Sequence, residues 1–435
     1  MTYTLHRPIP RRVAVLASIV SIALLVSGCS GGGGGGSSSG DNGASPDEGG
    51  TLVYASWEWA EPTRGAQIWD ALQAYTKLHP KVTLQQKTIT RADYEKTIST
   101  QLGAGGGPDV MIIPDPFLPT LEAANSLEPL NPAITAEITP ALTSSNDSYK
   151  VDGKQLALVW ETSNYALFWN KAILDQAGVK PPTTVAELVT AAQTIKKVTG
   201  KTGFAVRHQM NEETAWWTDF SNWPAGYGGS WSKDGKLTIN SAENIAGVNA
   251  LKQVYESGAF AVGDDASTYR SKFGAGDIAM IIDNSNIPFS IAAKSTVVPS
   301  SQIGASALPF PTPDSVHVAN LVGVNANSKN KAIALDFVHW MYSSAAQLSL
   351  AKALFPSAPG TSVKPDASLI SANPWYDSFY AQGPNSRSAI IPGFETQTQP
   401  ISSIILSQVS RVLTSGVSAQ EAMDEAQKEA TALGR

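Results

Sequence analysis

The sequence predicts an α/β protein in which helices wrap parallel sheets, with a body large enough for two compact units. Three observations predict it. Short apolar runs of strand length alternate with helix-period stretches from residue 51 onward. The stretch from there to residue 435 exceeds one ordinary domain. With 42% hydrophobic and 16% charged residues, the composition is that of a chain that folds around a core. In order, TLVYASW (51–57) reads as a strand, and 64–79 as a helix with Ile68, Leu72 and Tyr75 at helical spacing. Residues 81–87 read as a second strand and 91–102 as a helix stopped by the glycines of GAGGGPD. DVMIIP (109–114) is a short buried strand. Strand, helix, strand, helix, strand implies a parallel sheet. Further on, Thr184 with Glu187 and Ser418 with Glu421 have capping-box spacing, in which hydroxyl and carboxylate satisfy free amides at a helix start. The second pair opens the last helix.

Ahead of this body lies a different kind of sequence. Arg7, Arg11 and Arg12 precede an uncharged apolar run, 13–26, which is too short to span a bilayer comfortably; that is the layout of a secretory signal. Cys29, the single cysteine among 435 residues, follows at once. Val26-Ser27-Gly28-Cys29 resembles a bacterial lipobox, in which the thiol receives a diacylglycerol and the chain is cut before it. A thiol consumed by lipid cannot mispair outside the cell. The alternative is a free cysteine in a transmembrane anchor. Residues 31–50, nearly all Gly, Ser, Asn and Asp, cannot build a core and form a flexible tether. The expected organisation is signal peptide 1–28, then lipidated Cys29 and tether over 29–50, then the body.

Several function classes fall away. A net charge of −6 with no basic block argues against nucleic acid. The five histidines (His6, His79, His208, His317, His339) show no metal-ligand spacing, so neither metal nor cofactor is expected. A GxSxG match at 36–40 lies in the tether, where no strand–turn–helix can form a nucleophile elbow. The glycine-rich 103–108 lacks the Lys-Ser/Thr of a P-loop and follows a helix.

Six segments in order carry a resemblance: GGGPDVMIIPDP with LEPLNP, VDGKQLALVWETSNYALFWNKAILDQAGVKPPTTVAEL, FGAGDIAMIIDNSN, VGVNANSKNKAIALDFVHWM, and SAQEAMDEAQKEA at the end. Together they resemble the family of extracellular solute-binding proteins that serve carbohydrate-type ABC importers, related to maltose-binding proteins. The resemblance covers nearly all of the body. It implies a two-lobed periplasmic-binding-protein-like fold of type II, with three interlobe crossings and the ligand in the cleft. It also implies no catalysis, and as partners a sugar, the importer's permease subunits, and the membrane through the lipid anchor only, with the receptor a monomer. The crossings are expected near Trp160-Glu161, Asp283-Asn286 and Val324-Ser328. Lobe 1 would then be 51–160 plus 286–328, and lobe 2 161–285 plus 329–435.

Residue types suggest the cleft chemistry. A sugar has apolar C–H faces and a rim of hydroxyls, so its site needs flat aromatic surfaces beside carboxylates or amides. Trp57, Glu58 and Trp59 supply both after the first strand, Asp115 ends another strand, and Glu161 follows Trp160 at an expected crossing. Trp216, Trp217 and Tyr227 form the densest aromatic stretch, and Asp283, Asn284 and Phe394 complete the set that the resemblance implies. Each has a structural alternative. Adjacent Trp216 and Trp217 cannot both face inward on one helix, Trp223, Trp231 and Trp340 suit packing, and Asp115 suits a helix cap. Asn286 stands where many relatives carry an aromatic platform, which points to a more polar subsite. Competing readings are a receptor for a phosphorylated or other polar solute, and a lipid-anchored glycoside hydrolase using two carboxylates across the cleft.

Overall fold

The computed structural model describes residues 45–434 except Pro62 and Ala92. Cys29 and the expected signal peptide lie outside the described residues, as does most of the tether. The first half of the fold follows the expected alternation: strand β1 (Gly50–Ser56), helix α1 (Arg64–Leu72), β2 (Val82–Thr88), α2 (Tyr94–Gly103), β3 (Val110–Pro114) and α3 (Leu118–Ala123). β1 pairs in parallel with both β2 and β3. α2 ends where the glycines begin, and Gly105 and Gly107 adopt φ of 76° and 108°, a region that side chains with a Cβ avoid.

Next comes β4 (Leu158–Asn170), a 13-residue strand in which only Trp169 is less than buried. Then follow α4 (Val185–Thr199), β5 (Thr202–Ala205), α5 (Glu213–Ala225), α6 (Ala242–Tyr255), α7 (Ala266–Gly274), β6 (Ile278–Asn284) and α8 (Asn286–Lys294). β7 (Ile303–Ser306), β8 (Ser315–Asn325), α9 (Lys331–Met341), α10 (Ser344–Leu354), α11 (Thr398–Thr414) and α12 (Ala419–Ala432) complete the main elements. The hydroxyl half of each capping box forms, Thr184 and Ser418 accepting from the amides of Glu187 and Glu421, and the Glu187 carboxylate accepts in turn from the Thr183 amide at 2.8 Å. One sheet runs through the body in the order β2-β1-β3-β8-β4-β6-β5. β8 is antiparallel to both β3 and β4, and β4 is antiparallel to β6.

The fold is two-lobed, and its cores show where each lobe draws its residues. Leu52, Tyr54, Leu158, Trp160 and Val322 pack with Ile333, Phe337 and Leu354 on one face of the first half-sheet. Ala55, Ile113, Val159 and Leu321 pack on the other. The second half-sheet is likewise covered on two faces, by Leu167, Phe204, Trp216 and Leu406, and by Phe168, Phe273, Ile303 and Trp375. β4 therefore leaves the first core after Trp160 and enters the second at Tyr165. The crossings expected near 283–286 and 324–328 lie elsewhere. After β6 the chain stays with the second core through Ile303, because α8 lays Ile291 against Phe273 rather than turning back. It returns along β8, and α9 and α10 remain on the first core because their apolar faces fit the Tyr54 side of the sheet. It leaves again only between Leu354 and Phe355.

Inside the second lobe α5 and α6 approach closely at Gly247, where a Cβ would stand 2.6 Å from Pro224. That approach holds the tryptophan-rich helix in place, and burial of its indoles supplies much of the lobe's apolar area.

Candidate cleft between the lobes

β3 ends at Pro114, and the chain turns there into a single helical turn that carries Asp115 inward. Asp115 is 5% exposed and caps no helix; its carboxylate accepts a 2.6 Å hydrogen bond from the Ser388 hydroxyl. Ser388 follows Ser386–Arg387, a short strand paired with β8, and precedes Ile391 of the second core. The contact therefore joins the lobes. Burial pushes the Asp115 carboxyl up to about 7, with the Ser388 bond pulling it partly back.

From the other side α5 presents Trp217. Its Nε1 donates to the Ala389 carbonyl at 2.9 Å, and its ring lies against Trp231 with centroids 5.1 Å apart. Asp115 and Trp217 line one chamber of about 490 Å³ together with Arg91, Glu213, Thr218 and Gln399. That size suits a small ligand. Arg91 stands with its guanidinium 4.9 Å from the Trp57 ring, an arrangement that attracts cation to indole, and it also reaches Glu95 at 3.2 Å. Trp57 does not line the chamber itself; it stands behind Arg91, its ring packed edge-to-face on Tyr94.

The remaining expected residues stand outside the chamber, each for a visible reason. Trp216 is fully buried in the second core; Trp217, 6% exposed, is buried in that same core, so both adjacent indoles face inward against expectation, and only Trp217 also reaches the chamber. Trp59 donates to the Tyr54 carbonyl and packs on Tyr54 and Trp69 in the first lobe. Tyr227 leans on Phe310, and Phe394 is buried in the second core next to Glu395, which does reach the chamber. Asp283 is fully buried in a bidentate pair with Arg270 and accepts from the Tyr269 hydroxyl at 3.1 Å. Asn284 donates to Asp283 and accepts from the Asn286 amide.

Glu58 and Glu161 meet at the crossing instead. Arg64 bridges them, 2.7 Å from Glu58 and also bonded to Glu161, while Asn320 donates to Glu161 at 2.8 Å and Trp160 to Glu58 at 3.2 Å. Burial pushes the Glu58 carboxyl upward and Arg64 pulls it back. Asn286 lies at the same crossing, donating to the Ser163 hydroxyl at 2.7 Å and accepting from Ser357. A second buried cluster joins Asp219, Arg207 and Tyr165 within lobe 2. His208 and His317 are satisfied inside the fold, and among the described residues no group of three His, Cys, Asp or Glu side chains can hold a metal.

Sequence reasoning missed Arg91, Glu213, Thr218, Ser388 and Gln399. Ser388 follows Arg387 in a short polar stretch, and its residue type alone did not single it out. Arg91 lies in a loop, Glu213 and Gln399 at helix starts and Thr218 inside α5, and only the fold brings them to the chamber with Asp115.

A two-lobed α/β body with a chamber between its lobes defines the class of solute-binding receptors. The chain belongs to the bacterial extracellular solute-binding protein family, whose pattern matches residues 59–348. It is therefore a binding protein rather than an enzyme. It is similar to an ABC transporter extracellular-binding protein of Pyrococcus horikoshii, 28% identical over 204 residues, a stretch that spans 46% of each chain. Its fold matches the GacH receptor of Streptomyces glaucescens, solved unliganded and with acarbose, at a TM-score of 0.74 and 22% identity over 88% of this chain and 98% of that one. It also matches a cyclic α-maltosyl-1,6-maltose binding protein of Arthrobacter globiformis, at 0.77 and 19% over the same shares. Among the described residues no helix is long and apolar enough to cross a membrane.

Proposed function

We propose that this protein is the lipid-anchored extracytoplasmic receptor of an ABC importer, and that it captures a sugar or short oligosaccharide between its lobes. The observation that carries the reading is the pairing of Asp115 with Trp217 around one chamber. An indole offers a flat apolar face to a pyranose, and a carboxyl offers hydrogen bonds to its hydroxyls. The two residues come from different lobes of one chain, so a single copy makes a whole site. The ligands of the Streptomyces and Arthrobacter proteins, both carbohydrate in kind, support the same class. The anchor is Cys29, reached through the Gly/Ser-rich tether. In this reading the first lobe comprises 50–160 with 318–354, and the second takes the rest of the body.

Lobes joined by a few strands move relative to each other, and a solute that touches both gains its full contacts only when they close. Calorimetric titration of the purified chain with a panel of neutral mono- and oligosaccharides, with X-ray scattering on any that bind, tests this. Binding with a fall in radius of gyration is expected. No binding across the panel, or superimposable scattering at saturation, counts against it.

A further inference from the structure

Next to the Asp115–Trp217 chamber lies a second cavity of about 620 Å³; Pro119, Ala389, Ile390 and Glu395 line both and form the partition. Three carboxylates surround the second cavity, each from a different part of the chain. Glu122 is on α3, Asp152 is in the turn after Lys150–Val151, and Glu395 stands ahead of α11. They are near enough for Glu395 and Asp152 to add to the burial that raises the Glu122 carboxyl. Among the described residues none of the three belongs to an ion pair. Of the two cations at the lining, Lys150 pairs with Asp147 outside the cavity, and Arg387 is held in the wall by donating to the Gly229 carbonyl at 2.7 Å; neither pairs with the three carboxylates. The deep wall is different in kind. Trp231 contributes an indole and Ser221, only 2% exposed, has a hydroxyl with no hydrogen-bond partner. A buried hydroxyl left unmet is costly unless something fills the space beside it.

We infer that this second cavity binds a protonated amine carried on a hydroxylated frame, an amino sugar being the simplest such molecule. The ammonium sits in the negative field that Glu122, Asp152 and Glu395 make together around the cavity, bonding to whichever of them it approaches; the three do not form a metal site. The frame lies against Trp231, which attracts cations as well as C–H faces. One ligand hydroxyl meets Ser221. Both lobes contribute, Glu122 and Asp152 from one and Trp231 and Ser221 from the other, so the cavity is complete only in the closed arrangement. The inference does not depend on which solute occupies the first chamber.

The test is calorimetric titration of the purified full chain with D-glucosamine and its β-1,4-linked dimer, beside their N-acetylated counterparts, at about pH 6, where the amine is charged. The acetylated sugars keep the shape and lose the charge. The aminated probes should bind at low salt and weaken at about 0.5 M salt, because the carboxylates near the surface are screened. Glu122→Gln with Glu395→Gln should weaken them by about tenfold or more, and Ser221→Ala by several-fold. Glu122 is half-buried and Glu395 exposed, so both substitutions keep the fold. Failure of both amines to bind, equal binding of the acetylated forms, or indifference to the double substitution overturns the inference. Neutral-sugar binding, followed in the same protein, stands or falls separately.

Discussion

Asp115→Asn isolates the cost of closing two lobes over a carboxylate. Burial raises the Asp115 carboxyl from 3.8 to about 7, a change of about three units at roughly 1.4 kcal/mol each, or about 4 kcal/mol in all. The folded value lies above the unfolded one, so the folded chain holds the extra proton. The resulting stabilisation is complete below about pH 4, declines as pH rises, and is lost above about pH 7. Asn keeps an acceptor for the Ser388 hydroxyl, now 2.6 Å from the carboxylate, and carries no charge at any pH. The variant should therefore match the parent near pH 4 and be more stable by about 2–4 kcal/mol near pH 8; the lower figure allows for the stronger bond that a charged acceptor makes. Glu58 and Asp219 are also pushed upward by burial and bend the parent's own curve, yet they cancel in the difference between the two proteins. Urea unfolding across that pH range, read as midpoints at constant slope, gives the difference directly. A gap that stays flat with pH, or an Asn variant weaker at high pH, would refute the burial of an ionisable group at this contact.

Both indoles of the tryptophan pair are buried in the second core, so either alanine should cost about 3–5 kcal/mol of stability, but only Trp217→Ala should also weaken sugar binding, by about 1–3 kcal/mol; denaturation beside calorimetry reads both, and equal effects on binding would contradict Trp217's place at the chamber. Arg64→Met leaves Glu58 and Glu161 facing each other without their shared cation, and the chain should lose about 3 kcal/mol, since Arg64 keeps a 26% exposed side chain. An unchanged unfolding midpoint would mean the bridge is idle. Cys29→Ala should free the protein from the membrane fraction or leave it unprocessed, and a mass spectrum of the mature chain with an unmodified Cys29 would remove the anchor.

Much of the first half of the fold was legible because local signals agreed with one another. Apolar alternation, glycine stops and capping boxes are all settled within a few residues, and the strands and caps they foretold are there. The crossings were less legible. Whether α9 packs on one lobe or the other depends on which half-sheet has room for Ile333 and Phe337, and nothing within 331–341 records that. The site divided in the same way. Asp115 and Trp217 were visible as residue types at strand and helix ends. Glu58 and Asp283 were also visible as carboxylates, but Arg64 and Arg270 claim them, and a pairing across several residues of chain leaves no trace in either residue alone. Trp216 and Trp217 share one core, and only the assembled fold shows that Trp217 also reaches the chamber.

The place of β8 in the sheet bears on how this chain comes to be made. β8 is hydrogen-bonded between β3 and β4, strands that precede it by well over a hundred residues. A chain growing from its N-terminus therefore displays β3 with an open edge until residue 325 exists, and the Tyr54 face of the sheet, covered early only by Ile68, Leu72 and Tyr75, stays incomplete until α9 and α10 have followed. Neither lobe can finish early. Most of synthesis passes with the polypeptide still lacking a stable half, a state that keeps it extensible for threading across a membrane but also leaves sticky strand edges that must be shielded from one another.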